Sequence, residues 1–115
     1  MKALGTYIFA GGFTLGVRKH FDVEAHFEMK PGLYKKTAKA NFPDLPIYEG
    51  EEEWPREKYK DKIDFVYCNP PCAPWSNLGT TQKGGMAWKK DPRIACWRNS
   101  FNLLKELRPS AIAIE

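Results

Sequence analysis

At 115 residues the chain can form one small domain and is too short for a catalytic domain plus a separate recognition domain. Hydrophobic residues make up 43% and charged residues 28%, with a net charge of +4, which excludes a compositionally disordered chain. No apolar stretch approaches the ~20 residues of a membrane span, and glycines and the Arg18-Lys19-His20 cluster interrupt the segment where a signal peptide would need its apolar run. The three cysteines, Cys68, Cys72 and Cys96, give neither a disulfide framework nor two matched metal-binding pairs, so an intracellular protein without structural zinc is expected.

The first apolar run, Ala3 to Ala10, reads as a strand ending in Gly11-Gly12, after which Phe13, Leu15, Gly16 and Val17 start a short helix. Asp22 to Phe27 alternates as a second strand, and residues 32–40 suit a helix that stops at Asn41-Phe42-Pro43. Leu45 to Tyr48 predicts a short third strand. The acidic stretch that follows, broken by Pro55, reads as a surface loop or a frayed helix. Lys62 to Cys68 is the strongest strand signal, and Asn69-Pro70-Pro71 ends it, because two consecutive prolines remove two backbone donors and force an extended loop. After a long glycine-containing loop over residues 73–90, Asp91-Pro92 starts a helix to about Leu107. Its apolar face is predicted to hold Ile94, Trp97, Phe101, Leu104 and Leu107. Ala111 to Glu115 is a fifth strand. His20 and His26 are expected at the surface or a strand edge.

This alternation predicts an α/β fold, a mostly parallel sheet of about five strands with helices on both faces. The last strand has no following helix to cover it, so residues 1–115 read as a single domain that is the first part of a larger one. Charge is uneven: residues 49–64 are net acidic, whereas residues 83–108 carry Lys83, Lys89, Lys90, Arg93 and Arg98 beside Trp88 and Trp97. A basic, tryptophan-containing stretch suits a polyanion; a solvated helix face is the plainer alternative.

In an open parallel sheet, ligands bind at the carboxyl ends of the strands. Four features fall there: Phe9-Ala10-Gly11-Gly12, Glu28, Asn69-Pro70-Pro71-Cys72, and Glu115. A glycine turn lets a cofactor approach the backbone, and an acidic residue one strand over can accept from ribose hydroxyls. A cysteine held on a proline-stiffened loop away from the core can act as a nucleophile, with a neighbouring carboxylic acid as proton donor. Cys68, inside its strand, fits a buried small hydrophobe instead.

With these residues in place, the chain resembles the DNA (cytosine-5)-methyltransferase family. Phe9-Ala10-Gly11-Gly12-Phe13 is similar to the Phe-Ala-Gly-x-Gly-Gly-Phe motif, and Pro71-Cys72-Ala73-Pro74-Trp75-Ser76 with Gly79 to the Pro-Cys-Gln-Pro-Phe-Ser-x-x-Gly nucleophile loop. Asn41-Phe42 matches an Asn-Phe after the second helix, and Pro109 to Glu115 matches a strand motif ending in Glu-Asn-Val up to its Glu. The departures are a glycine turn two residues shorter, Tyr7 in place of an acidic residue, Ala73 in place of Gln, and Trp75 in place of Phe.

The resemblance implies a Rossmann-like methyltransferase fold, S-adenosylmethionine as cofactor and DNA as partner, in the cytoplasm of a bacterial or phage-infected cell. It implies Cys72 as the nucleophile toward a flipped cytosine and Glu115 as the acid at its N3. By the same matching, Phe9, Gly11, Gly12, Glu28, Glu49, Asn69 and Pro71 would border the cofactor, and Ser76, Lys83, Lys89 and Lys90 would contact DNA. The family's Gln-x-Arg-x-Arg motif and target recognition domain lie beyond the matched part, so little activity is expected of residues 1–115 without a partner chain or further segment. Two alternatives stay open. One is a non-catalytic DNA- or partner-binding subunit. The other is a methyltransferase of exocyclic amines, to whose Asn-Pro-Pro-aromatic loop Asn69-Pro70-Pro71 is also similar.

Overall fold

A computed structural model of the chain describes residues 1–28, 34–76 and 89–115. Five parallel strands form one sheet in the order β3-β2-β1-β4-β5. They are β1 (Lys2–Thr6), β2 (Asp22–Glu28), β3 (Ile47–Glu49), β4 (Phe65–Cys68) and β5 (Ala111–Ile114). The helices are α1 (Gly12–Val17), α2 (Lys35–Asn41), α3 (Arg56–Tyr59) and α4 (Ile94–Leu107), with a 3₁₀ turn at Glu51–Glu53. Among the described residues, no helix is long and apolar enough to cross a membrane.

Strand alternation sends side chains to two cores. Leu4, Ala25, Phe27, Val66 and Cys68 meet Trp54, Tyr59 and the inner side of α4 on one face. Ala3 and Tyr67 meet Val17 of α1 and Ala38 of α2 on the other. The expected two-sided covering is therefore present. β1 and β4 sit in the middle of the sheet, and Gly5 in β1 is there because the Tyr67 ring of β4 lies over it: a Cβ would come within 2.5 Å of that ring.

Four sequence expectations are corrected. First, β1 ends at Thr6 instead of Ala10, because Tyr7 and Phe9 take left-handed backbone conformations (φ 53° and 52°) that no strand can continue. Second, the acidic stretch is more than surface loop. Trp54 and Tyr59 stack at 5.2 Å, both buried, and pin it to Phe27, while its charged side chains of both signs face water. Third, the buried stripe of α4 is Cys96, Ser100, Leu103 and Leu107, while Phe101 is half exposed and Trp97 half buried. Ser100 points inward at little cost because its hydroxyl donates to the Cys96 carbonyl at 3.0 Å.

The fourth correction concerns His26, which is fully buried. It lies within 3.1 Å of the Thr14 hydroxyl and 3.2 Å of the Tyr67 hydroxyl, and those two hydroxyls are 2.7 Å apart. Burial lowers its pKa to about 4, with the Arg18 cation adding to the shift. His20 is exposed, as expected.

The Asp91 expectation holds in substance. Its carboxylate accepts from the Arg93 backbone N–H at 3.0 Å, and its carbonyl from Ile94 at 3.1 Å, which starts α4. At the other end Arg108, at φ 48°, returns its N–H to the Leu104 carbonyl, and Pro109 prevents continuation.

Candidate functional site

Every strand is parallel, so all five carboxyl ends open on one edge, and the connections leaving that edge build the site. After β1 the chain turns through Tyr7, Phe9 and Gly11, all at positive φ. Gly11 has no alternative here: its φ is 91°, and a Cβ would lie 2.2 Å from the Phe42 ring. The Asn41 side chain donates to the Ala10 carbonyl at 2.7 Å, so the Asn-Phe pair after α2 closes over the glycine turn. Gly12, by contrast, faces open space.

Glu28 ends β2 and is buried. One carboxylate oxygen accepts from the Phe9 N–H at 3.3 Å, and its carbonyl accepts from Gly50 at 3.0 Å. The paired Glu49 ends β3 and meets the Lys35 ammonium at 3.4 Å. A cavity of about 300 Å³ lies beside these ends, lined by Tyr7, Phe27, Gly50, Pro92, Ala95, Cys96 and Asn99. Burial raises the pKa of both Tyr7 and Cys96, and the Glu28 carboxylate near each of them adds to the rise, so all three belong to one region.

The structure therefore brings Glu28 beside this cavity. None of the residues expected at the cofactor is itself a wall of it: Glu28 adjoins the wall residues Phe27 and Gly50; Phe9, Gly11 and Gly12 form the neighbouring turn; Glu49 pairs away with Lys35; and Asn69 and Pro71 lie on the next loop. Gly50 and Asn99 are walls that sequence reasoning did not name. Gly50 carried a signal, a glycine directly after a predicted strand; Asn99 carried none.

The loop after β4 carries Cys72. The Asn69 N–H still bonds the Thr6 carbonyl at 3.1 Å, extending the ladder by one residue, and Pro70 is fully buried. Pro71 then offers its carbonyl to the Trp97 indole N–H of α4 at 3.0 Å. The Cys72 carbonyl accepts from Trp75 at 2.9 Å and Ser76 at 3.2 Å, forming one turn, and the Ser76 hydroxyl donates to Ala73.

Of the three cysteines, Cys72 is exposed while Cys68 and Cys96 are buried, and burial pushes both of those thiols up and keeps them neutral. Glu115 follows β5, exposed, and its N–H bonds the Cys68 carbonyl at 3.0 Å, which fixes it at the same edge. Lys89 and Lys90 are exposed just before α4, and Lys83 lies outside the described residues. Arg93 is gripped by Asp91 through two bonds of 2.9 and 2.7 Å, and its preference for charge rises through that contact and, to a smaller extent, through Cys72 and Cys96. No group of three His, Cys, Asp or Glu suited to a metal occurs among the described residues.

Residues 3–115 match the family of C-5 cytosine-specific DNA methylases. The chain belongs to that family. Type II methyltransferase M.NgoPII of Neisseria gonorrhoeae is 32% identical over 117 residues, which cover 100% of this chain and 33% of that protein. M.NgoMIV of the same organism, also a Type II methyltransferase, is 32% identical over 107 residues, 92% of this chain and 32% of that one. The chain thus spans about a third of the length of these curated relatives. A chain in the solved complex between the Haloferax volcanii Trm112 methyltransferase activator and a methyltransferase superposes with TM-score 0.45 at 16% identity, over 64% of this chain and 33% of that one.

Proposed function

We propose that residues 1–115 form the cofactor-binding and nucleophile part of an enzyme that methylates carbon 5 of cytosine in DNA. The observation that carries this reading is the placement of Cys72, the exposed cysteine, on an anchored loop at the sheet edge shared with Glu28 and Glu115.

The residues suit S-adenosylmethionine. The cavity has room for a nucleoside, Glu28 borders it as an acceptor for ribose hydroxyls, and Gly12 leaves backbone open to approach. When bound, this cofactor supplies an electrophilic methyl group.

The chain's own residues do the rest. A cytosine flipped out of the stack exposes C6 and C5. The Cys72 thiolate adds to C6, forming an Sγ–C6 bond, while Glu115 gives a proton to N3 and electron density moves to C5, which becomes nucleophilic. Once C5 carries the methyl group, loss of its proton to a solvent base returns electrons into the ring and breaks the Sγ–C6 bond, and N3 gives its proton back to Glu115. Lys89 and Lys90, exposed just before α4, would meet DNA phosphates, a contact that fades with salt. Target recognition is assigned to protein outside these residues, on the same polypeptide or another.

Fluorine at C5 cannot leave as a proton, so DNA containing 5-fluorocytosine should hold the covalent adduct. Adduct formation with S-adenosylmethionine present is expected to vanish in Cys72→Ser and to persist in Cys68→Ala. An adduct that survives Cys72→Ser would sink the assignment.

A further inference from the structure

We infer that Trp97 is a positioning residue for the nucleophile, holding the Cys72 loop from both sides of that cysteine. The Trp97 indole N–H donates to the Pro71 carbonyl, directly before Cys72, at 3.0 Å. Its ring meets the Trp75 ring edge to face, at 6.0 Å and 83°, three residues after Cys72. The turn between these two contacts is closed by the Cys72 carbonyl, which accepts from both Trp75 and Ser76. One indole therefore touches each end of the turn whose first residue bears the thiol.

The loop needs such a hold. Pro70 and Pro71 have no N–H to donate, so the chain leaves the sheet after Asn69 without two of the backbone bonds that would tie it down. The carbonyl of Pro71 remains, and Trp97 takes it. The base of the indole is rigid because α4 is seated through Cys96, Ser100, Leu103 and Leu107, and a group carried on a packed helix is placed more accurately than one on a loop. A half-buried tryptophan with its N–H engaged fits this better than a core filler, since filling alone needs no donor aimed at the loop. Nucleophilic addition tolerates little error in placement: about 1 Å costs on the order of a hundredfold in rate.

The inference about the reaction rests on the cytosine reading above, and the inference about the loop does not. Amide hydrogen exchange read by mass spectrometry on the chain tests the second. In Trp97→Phe the Trp75 and Ser76 amides should exchange about five- to tenfold faster, the effect of one lost hydrogen bond, while Leu103 and Leu107 in α4 keep their protection.

The 5-fluorocytosine adduct tests the first. At saturating DNA its rate of formation should fall about tenfold, with the half-saturating DNA concentration moving less than about twofold. Phe101→Leu, which changes the exposed ring beside Trp97, should alter neither.

Unchanged exchange at Trp75 and Ser76, or faster exchange spread evenly through α4, overturns the positioning role. Faster loop exchange in a protein whose unmodified form makes no adduct even when the target-recognition part is supplied supports the positioning role and removes the cytosine reading instead. If Trp97→Phe does not fold, Trp75→Leu removes the ring contact from the exposed side. It should speed exchange at Ser76 about threefold, and no change there also overturns the proposal.

Discussion

The turn from Tyr7 to Gly12 and the loop from Asn69 to Ser76 lie side by side at one edge of the sheet and are held in opposite ways. Beneath the first, Thr14, His26 and Tyr67 form a buried polar cluster linking the first turn of α1 to β2 and β4, and Phe42 closes against Gly11 from α2. The second leaves the sheet through two prolines and is steadied from the side by Trp97. Errors in the glycine turn therefore propagate into the core, where packing is dense and polar groups must be paired. Errors in the loop from Asn69 to Ser76 stay local. This division lets the glycine-turn side be rigid while Cys72 depends on a few contacts that a substitution can remove without unfolding the protein.

The largest test of that contrast is Gly11→Ala. The new Cβ would combine a left-handed backbone with a collision on Phe42, and the expected loss is roughly 2–4 kcal/mol of stability in urea denaturation. Ala73→Gly in the other loop should cost under about 1 kcal/mol. Similar losses at the two positions would break the comparison.

Next in size is the response to acid. The folded state holds His26 at a pKa of about 4, below the 6.5 of an unburied imidazole, so the unfolded chain takes up this proton first. The stabilisation is fully present above pH 6.5 and is lost as pH falls toward 4, by about 2–3 kcal/mol. His26→Gln should remove this part of the slope, and equal slopes in the two proteins over that window would show that the cluster does not behave as a buried neutral unit.

The smallest effect is at the rim. Glu28→Gln keeps an oxygen for the Phe9 N–H but removes the charge, and calorimetry should show S-adenosylmethionine binding about tenfold weaker. Unchanged affinity would separate the cavity from the cofactor.

Much of this was legible in the residues. Apolar runs ending at Glu28 and at Asn69-Pro70-Pro71 located two strand ends, because strands are short and proline punctuates them by local sterics. The same local rule separated Cys72 from Cys68. It failed where two conformations are locally acceptable. The run Ala3 to Ala10 is strand-like throughout, yet Tyr7 and Phe9 turn left-handed because Tyr7 is drawn into the core beside Phe27 and Phe9 hydrogen-bonds Glu28. Helical spacing placed α4 correctly and put Leu107 in its buried stripe and Leu104 against the core, but it chose Phe101 over Ser100, since hydrophobicity ranks the phenylalanine higher while the packed face admits a small, self-bonded serine.

The sequence by itself determined the parallel alternation, the strand ends that face the site, the glycine turn and the proline-stiffened cysteine, all of which follow from restrictions on neighbouring residues. The tertiary structure decided the burial of His26, the walls supplied by Gly50 and Asn99, and the bond from Trp97 to Pro71. Each of those joins residues more than ten positions apart, and no local preference can choose which distant partner satisfies a buried imidazole or a proline carbonyl; only the packing of the two helical layers against the sheet does so.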